Sequence, residues 1–105
     1  MIKLNLIVIR TQNLEEISQW YSKTFDLNFV AEKHDNGVLH YSAQITDGII
    51  EIYPTEQLNP KITFGLSVSK ENFEQIILNQ SHKTLSEHVF LIKDLDGNSI
   101  ILSFS

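Results

Sequence analysis

The sequence contains no cysteine, which removes disulfides, thiolate nucleophiles and Cys–zinc centres together. Glycine is scarce, at 4 residues in 105, and the four are scattered. No Gly-rich loop opens a helix, so the cradle that backbone amides make for a phosphate is missing. Positive charge is scarce as well. Eight Lys and Arg against thirteen Asp and Glu leave a formal net charge of −5, and no basic run occurs. That balance disfavours a nucleic-acid partner, because phosphate contact needs concentrated Lys and Arg. The apolar runs are only a few residues long, far short of a membrane span. The first ten residues are too short, and too charged at their far end, for a secretory signal. The expectation is a cytoplasmic domain without a membrane partner. What remains is an ordinary globular composition, 42% hydrophobic and 20% charged, in a chain long enough for one hydrophobic core.

Proline is also rare, and its two positions organise the chain. Pro54 and Pro60 bracket the polar stretch Thr55-Glu56-Gln57-Leu58-Asn59, which reads as a linker over 55–60 between a module at about 1–54 and a second at about 61–105. In the first module, Ile2 to Arg10 reads as a buried strand. Asn13 offers an N-cap with Glu16 completing a capping box, and Leu14, Ile17, Trp20 and Tyr21 recur at helical spacing up to about Thr24. Asn28–Lys33 and Val38–Thr46 read as strands around an Asp35-Asn36-Gly37 turn, and Asp47-Gly48 as a tight hairpin turn leading into Ile49–Tyr53. The second module repeats the order: a strand over Lys61–Val68, a helix capped by Ser69, a weak strand at His82–Leu85, then His88–Lys93 and Ser99–Phe104 around Asp94-Leu95-Asp96-Gly97-Asn98. The order is β-α-β-β-β, twice.

Three segments then stand out: Asn13-Leu14-Glu15-Glu16 with Trp20-Tyr21, Glu51-Ile52-Tyr53-Pro54, and Asp94-Leu95-Asp96-Gly97-Asn98. On these, in this order over a repeated βαβββ pattern, the chain resembles the vicinal oxygen chelate superfamily of glyoxalases, bleomycin resistance proteins and extradiol dioxygenases. Leu95 stands where that family commonly has proline. The resemblance implies an α+β fold in which two βαβββ modules form a curved, partly open, barrel-like mixed sheet with the helices outside. It implies a ligand on the concave face and a homodimer as the usual assembly.

Metal-dependent members of that family carry one ligand on the first and last strand of each module. The resemblance places those positions at Leu6, Glu51, Thr63 and Ile101. Only Glu51 is a competent ligand for a divalent cation; Leu6 and Ile101 offer no donor and a threonine hydroxyl is a poor one. The expectation is therefore no cofactor, with Zn, Ni, Mn or Fe as the alternative, and a protein that binds a small molecule rather than a metal-dependent lyase, isomerase or dioxygenase. Strand alternation assigns the faces. Leu6, Val8, Glu51, Tyr53, Thr63, Ser67, Ile101 and Ser103 fall on the ligand side. Ile7, Ile9, Ile50, Ile52, Phe64, Leu66, Ile100 and Leu102 fall on the helix side.

The remaining candidates have plainer readings. His40 and Tyr41 are adjacent on a strand and point to opposite faces. His40 is a candidate wall of the pocket, set against the simpler reading of a surface histidine, with Tyr41 as packing. Glu51 is a ligand-binding carboxylate or a base whose pKa burial raises or, more plainly, a family remnant, either solvated in an open groove or paired with a nearby lysine. His34, His82 and His88 read as solvated turn residues, and Trp20 as packing.

Overall fold

A computed structural model of the chain describes residues 1–33 and 37–104. It folds as two compact units, Met1–Asn59 and Pro60–Ser105. The first comprises β1 (Leu6–Thr11), α1 (Leu14–Phe25), β2 (Val30–Glu32), β3 (His40–Ile45) and β4 (Gly48–Pro54). The second comprises β5 (Thr63–Val68), α2 (Lys70–Asn79), β6 (His82–Ser86), β7 (Val89–Lys93) and β8 (Ser99–Phe104). The β-α-β-β-β order is present twice. Each unit forms a four-stranded sheet, ordered β1-β4-β3-β2 and β5-β8-β7-β6. In each, the first and last strands pair in parallel and the others antiparallel, so both sheets are mixed and neither closes into a barrel. Among the described residues, no helix is long and apolar enough to cross a membrane.

The alternation expected from sequence sets the faces. In the first unit, Ile9, Ile50, Ile52 and Ala43 are buried on one side of the sheet. The buried face of α1, with Ile17, Tyr21 and Phe25, supplies the rest of that core, and α1 packs on β4. Trp20 meets Tyr21 and Phe25 edge-on, the packing role expected of it. In the second unit, Ile92, Ile100 and Leu102 are buried with Phe73 and Ile76 of α2, and Phe73 lies against Phe90 and Phe104.

The element ends differ from the sequence reading in several places. The first strand begins at Leu6 rather than Ile2, because the ladder with β4 begins at the Leu6–Ile49 pair. Asn13 makes no side-chain cap bond; its own N–H donates to Thr11 Oγ1 at 2.9 Å, so the expected capping box is not formed. Ser69 does cap α2, accepting from the Asn72 N–H at 3.2 Å. The β3–β4 turn is Thr46-Asp47, with Gly48 already paired to Ile45. Gly48 is needed for a different reason: a Cβ there would stand 2.4 Å from the Asn5 carbonyl oxygen, the same carbonyl that accepts the Ile49 N–H. The last strand of the first unit runs one residue past the expected Tyr53, to Pro54 opposite Thr11. His34 and the Asp35-Asn36 part of the expected turn lie outside the described residues.

Candidate functional site

The helix-free face of the first sheet carries the polar chemistry. Parallel pairing sets Val8 beside Glu51 and Arg10 beside Tyr53. Antiparallel pairing sets Ser42 beside Glu51, and Glu32 beside His40. All these side chains project from one face, since paired residues share a side and alternation carries Glu51 to Tyr53 and Ser42 to His40. Tyr41, one residue on, points the other way: its hydroxyl donates to the Glu15 carboxylate of α1 at 2.8 and 3.0 Å. That hydrogen bond, with desolvation and the carboxylate's negative charge behind it, raises the Tyr41 phenol above its usual value of 10.0.

His40 is the most constrained group of the site. It is 1% exposed, which corrects the reading of a surface histidine. Its imidazole stacks on the Tyr53 ring, with centroids 4.2 Å apart and planes 8° from parallel. Its Nδ1 lies 3.2 Å from the Val38 carbonyl. A carbonyl only accepts, so Nδ1 carries the proton and Nε2 is the nitrogen turned toward Glu51. The Nε2–Oε2 distance is 3.5 Å, and the Glu51 side chain is 20% exposed. Glu51 is thus neither an isolated solvated remnant nor paired with a lysine; its neighbour is a buried histidine. Arg10 completes the edge, its guanidinium carbon 5.9 Å from the Tyr53 ring centroid.

Glu32 joins this group and was not among the sequence candidates. One donor atom from each of Glu32, His40 and Glu51 lies within 4.8 Å of the others. A signal for it was present: a hairpin centred on the Asp35-Asn36-Gly37 turn would pair Glu32 with His40, placing Glu32 on the same face as Glu51.

The other predicted positions distribute as follows. Leu6 and Val8 lie on the Glu51 face of β1, opposite Ile49 and Glu51. Thr63, Ser67, Ile101 and Ser103 share one face of the second sheet, where Thr63 pairs with Ser99, Gly65 with Ile101 and Ser67 with Ser103. None of Leu6, Val8, Thr63 and Ile101 supplies a good donor, so the ligand arrangement implied by the resemblance does not fit these residues. His82 and His88 are exposed. The first stacks on Phe90, and the second sits at φ 65° beside Phe104 and 3.3 Å from Glu87. The segment Asp94–Asn98 is a structural turn. Asp94 Oδ1 accepts the N–H groups of Asp96 and Asn98, and Oδ2 accepts the Asn98 amide. Asn98 Oδ1 in turn accepts the Ile62 N–H, tying the turn to the lead-in of β5.

No protein-family model matches the sequence, and no curated protein matches it. Solved structures do. The oxidase ChaP-H2 superposes with a TM-score of 0.79 at 9% identity, covering 99% of this chain and 94% of its own. The fosfomycin resistance protein FosX from Mesorhizobium loti gives 0.72 at 17%, covering 98% and 92%. Lactoylglutathione lyase from Agrobacterium tumefaciens gives 0.68 at 12%, covering 98% and 93%. The chain therefore has the vicinal oxygen chelate fold.

Proposed function

We propose that the protein binds a small molecule at the Glu51 face of the first sheet, in the manner of bleomycin resistance proteins, which hold a drug without chemistry. The observation that carries this reading is the stacked His40–Tyr53 pair with the Glu51 carboxylate beside it. A flat aromatic surface next to a negative charge suits a neutral or cationic, partly aromatic ligand. The loss of competent donors at Leu6, Thr63 and Ile101 supports binding over the fold's metal-dependent catalysis. A homodimer is part of the proposal, carried over from the resemblance and checked by sedimentation.

The test is a thermal-shift screen of small aromatic and cationic compounds, run in EDTA. Binding to the native state raises Tm by mass action. Glu51→Gln should lower affinity for any hit by tenfold or more while changing stability by less than about 0.5 kcal/mol. The Gln amide can turn its NH2 to the His40 Nε2, so a hydrogen bond can stand where the charge is lost. If Glu51→Gln shifts stability alone and leaves binding intact, the site assignment is wrong.

A second reading, a metal-dependent lyase, isomerase or dioxygenase, is favoured by the convergence of Glu32 and His40 on Glu51. A hemithioacetal assay in metal-supplemented buffer separates it from pure binding. Turnover abolished by Glu51→Gln supports the enzyme, and its absence supports the binder.

A further inference from the structure

Three adjacent strands, β2, β3 and β4, bring Glu32, His40 and Glu51 together inside one unit. Two features make this more than a patch of acid. The first is donor chemistry. One imidazole and two carboxylates, with donor atoms within 4.8 Å of one another, make a mixed N/O set suited to a first-row divalent ion. Donors about 2.0–2.2 Å from such an ion stand roughly 3–4 Å apart, so small side-chain rotations close the set. Two carboxylates and a neutral imidazole also carry the charge that a divalent cation balances.

The second feature is the orientation of His40. The ring is buried, clamped by Tyr53, and fixed in tautomer by the Val38 carbonyl on Nδ1. A metal-ligating histidine is oriented in this way, its other ring N–H donated to a carbonyl or carboxylate. The consequence is that Nε2 is directed at the Glu51 carboxylate, 3.5 Å away, the direction a metal ion held by both would need.

We propose that Glu32, His40 and Glu51 form a divalent transition-metal site, with His40 bound through Nε2. The remaining coordination positions would be open to water or to oxygen atoms of a ligand. The site differs from the arrangement implied by the resemblance, which takes ligands from the first and last strands of both modules. It uses three neighbouring strands of one unit and shares only Glu51 with that arrangement. It stands independently of the small-molecule reading, whose screen is run in EDTA.

The test uses the untagged full-length chain, stripped with EDTA, dialysed and titrated with ZnCl2 or MnCl2 alone. Calorimetry should report one ion per chain. Thermal unfolding should shift upward by roughly 10 °C at a hundredfold excess over Kd. Co²⁺ in place of Zn²⁺ should give visible absorption bands that Zn²⁺ then displaces. Glu32→Gln and Glu51→Gln should each weaken binding by more than the roughly 10- to 100-fold that loss of an outer-shell partner costs. Glu71→Gln, on the exposed start of α2, should bind as the parent does. Circular dichroism confirms that each variant folds. The proposal is overturned if the folded chain takes up no ion at about 1 mM metal. It is equally overturned if either Gln variant binds as tightly as the parent, since the three residues then do not act as one site.

Discussion

The two units share a plan and divide the chemistry. Strand order, pairing directions and buried faces match, with Ile50 and Ile52 of β4 answering to Ile100 and Leu102 of β8. On the other face they part. Where the first unit has Glu51 and Tyr53 on its last strand, the second has Ile101 and Ser103. Where the first pairs Glu32 with His40, the second pairs Ser86 with Val89 across a register shift. The helix-facing residues are interchangeable hydrophobes because the core asks only for volume. The other face is free of that demand, so carboxylates and an imidazole accumulate in the first copy, whereas Lys83 and Lys93 stand on that face of the second. The repeat is a scaffold, and function must be read from the face that breaks the repeat.

The largest expected effect tests the shared half of this comparison. Ile52→Ala and Leu102→Ala each remove a fully buried side chain and should each cost about 2–5 kcal/mol in denaturant unfolding. Equal losses would show the cores to be equivalent. A loss under about 1 kcal/mol at either position would mean that one unit's core contributes little.

The next effect concerns the turns before the last strands. Asp94 is 5% exposed and accepts three hydrogen bonds within its own turn. Asp47, in the equivalent place, makes an exposed ion pair with Lys3 at 3.8 Å. Asp94→Ala should therefore cost about 2–3 kcal/mol, and Asp47→Ala less than about 0.5. Comparable costs would show that the second turn is no stronger than the first, despite its network.

Much of this was legible in the sequence because a strand's period is two. The sets Ile49, Glu51, Tyr53 and Thr63, Gly65, Ser67 each sort to one face with no knowledge of partners, and the pairing registers agree with that sorting. Serine at 69 before a helical pattern gave a cap correctly, whereas Asn13 did not, because Thr11 Oγ1 takes the Asn13 N–H and the side chain makes no cap bond. Alternation names a face but not what covers it. His40, in phase with Ser42 and Gln44, therefore looked solvated although it is buried. Glu32 was missed because its role depends on the register of β2 against β3, a long-range fact that a three-residue strand carries only through its turn.

The smallest effect separates how each helix meets its sheet. In the second unit α2 uses aromatic contact, Phe73 against Phe90 and Phe104. In the first, α1 adds a polar tie from Glu15 to Tyr41. The Tyr41 phenol is raised above 10.0, chiefly by its hydrogen bond to Glu15. A folded value above the unfolded one means that the neutral phenol is favoured by folding. The stabilisation is fully present below the unfolded pKa and is lost as pH rises through the higher folded value. The tie should therefore contribute fully, and without pH dependence, near neutral pH, and its contribution should be lost only in alkali. Tyrosinate absorbance, assigned by Tyr41→Phe, should show one phenol whose midpoint falls in Glu15→Gln. A Glu15→Gln titration that overlays the parent would leave α1 held, like α2, by apolar contact alone.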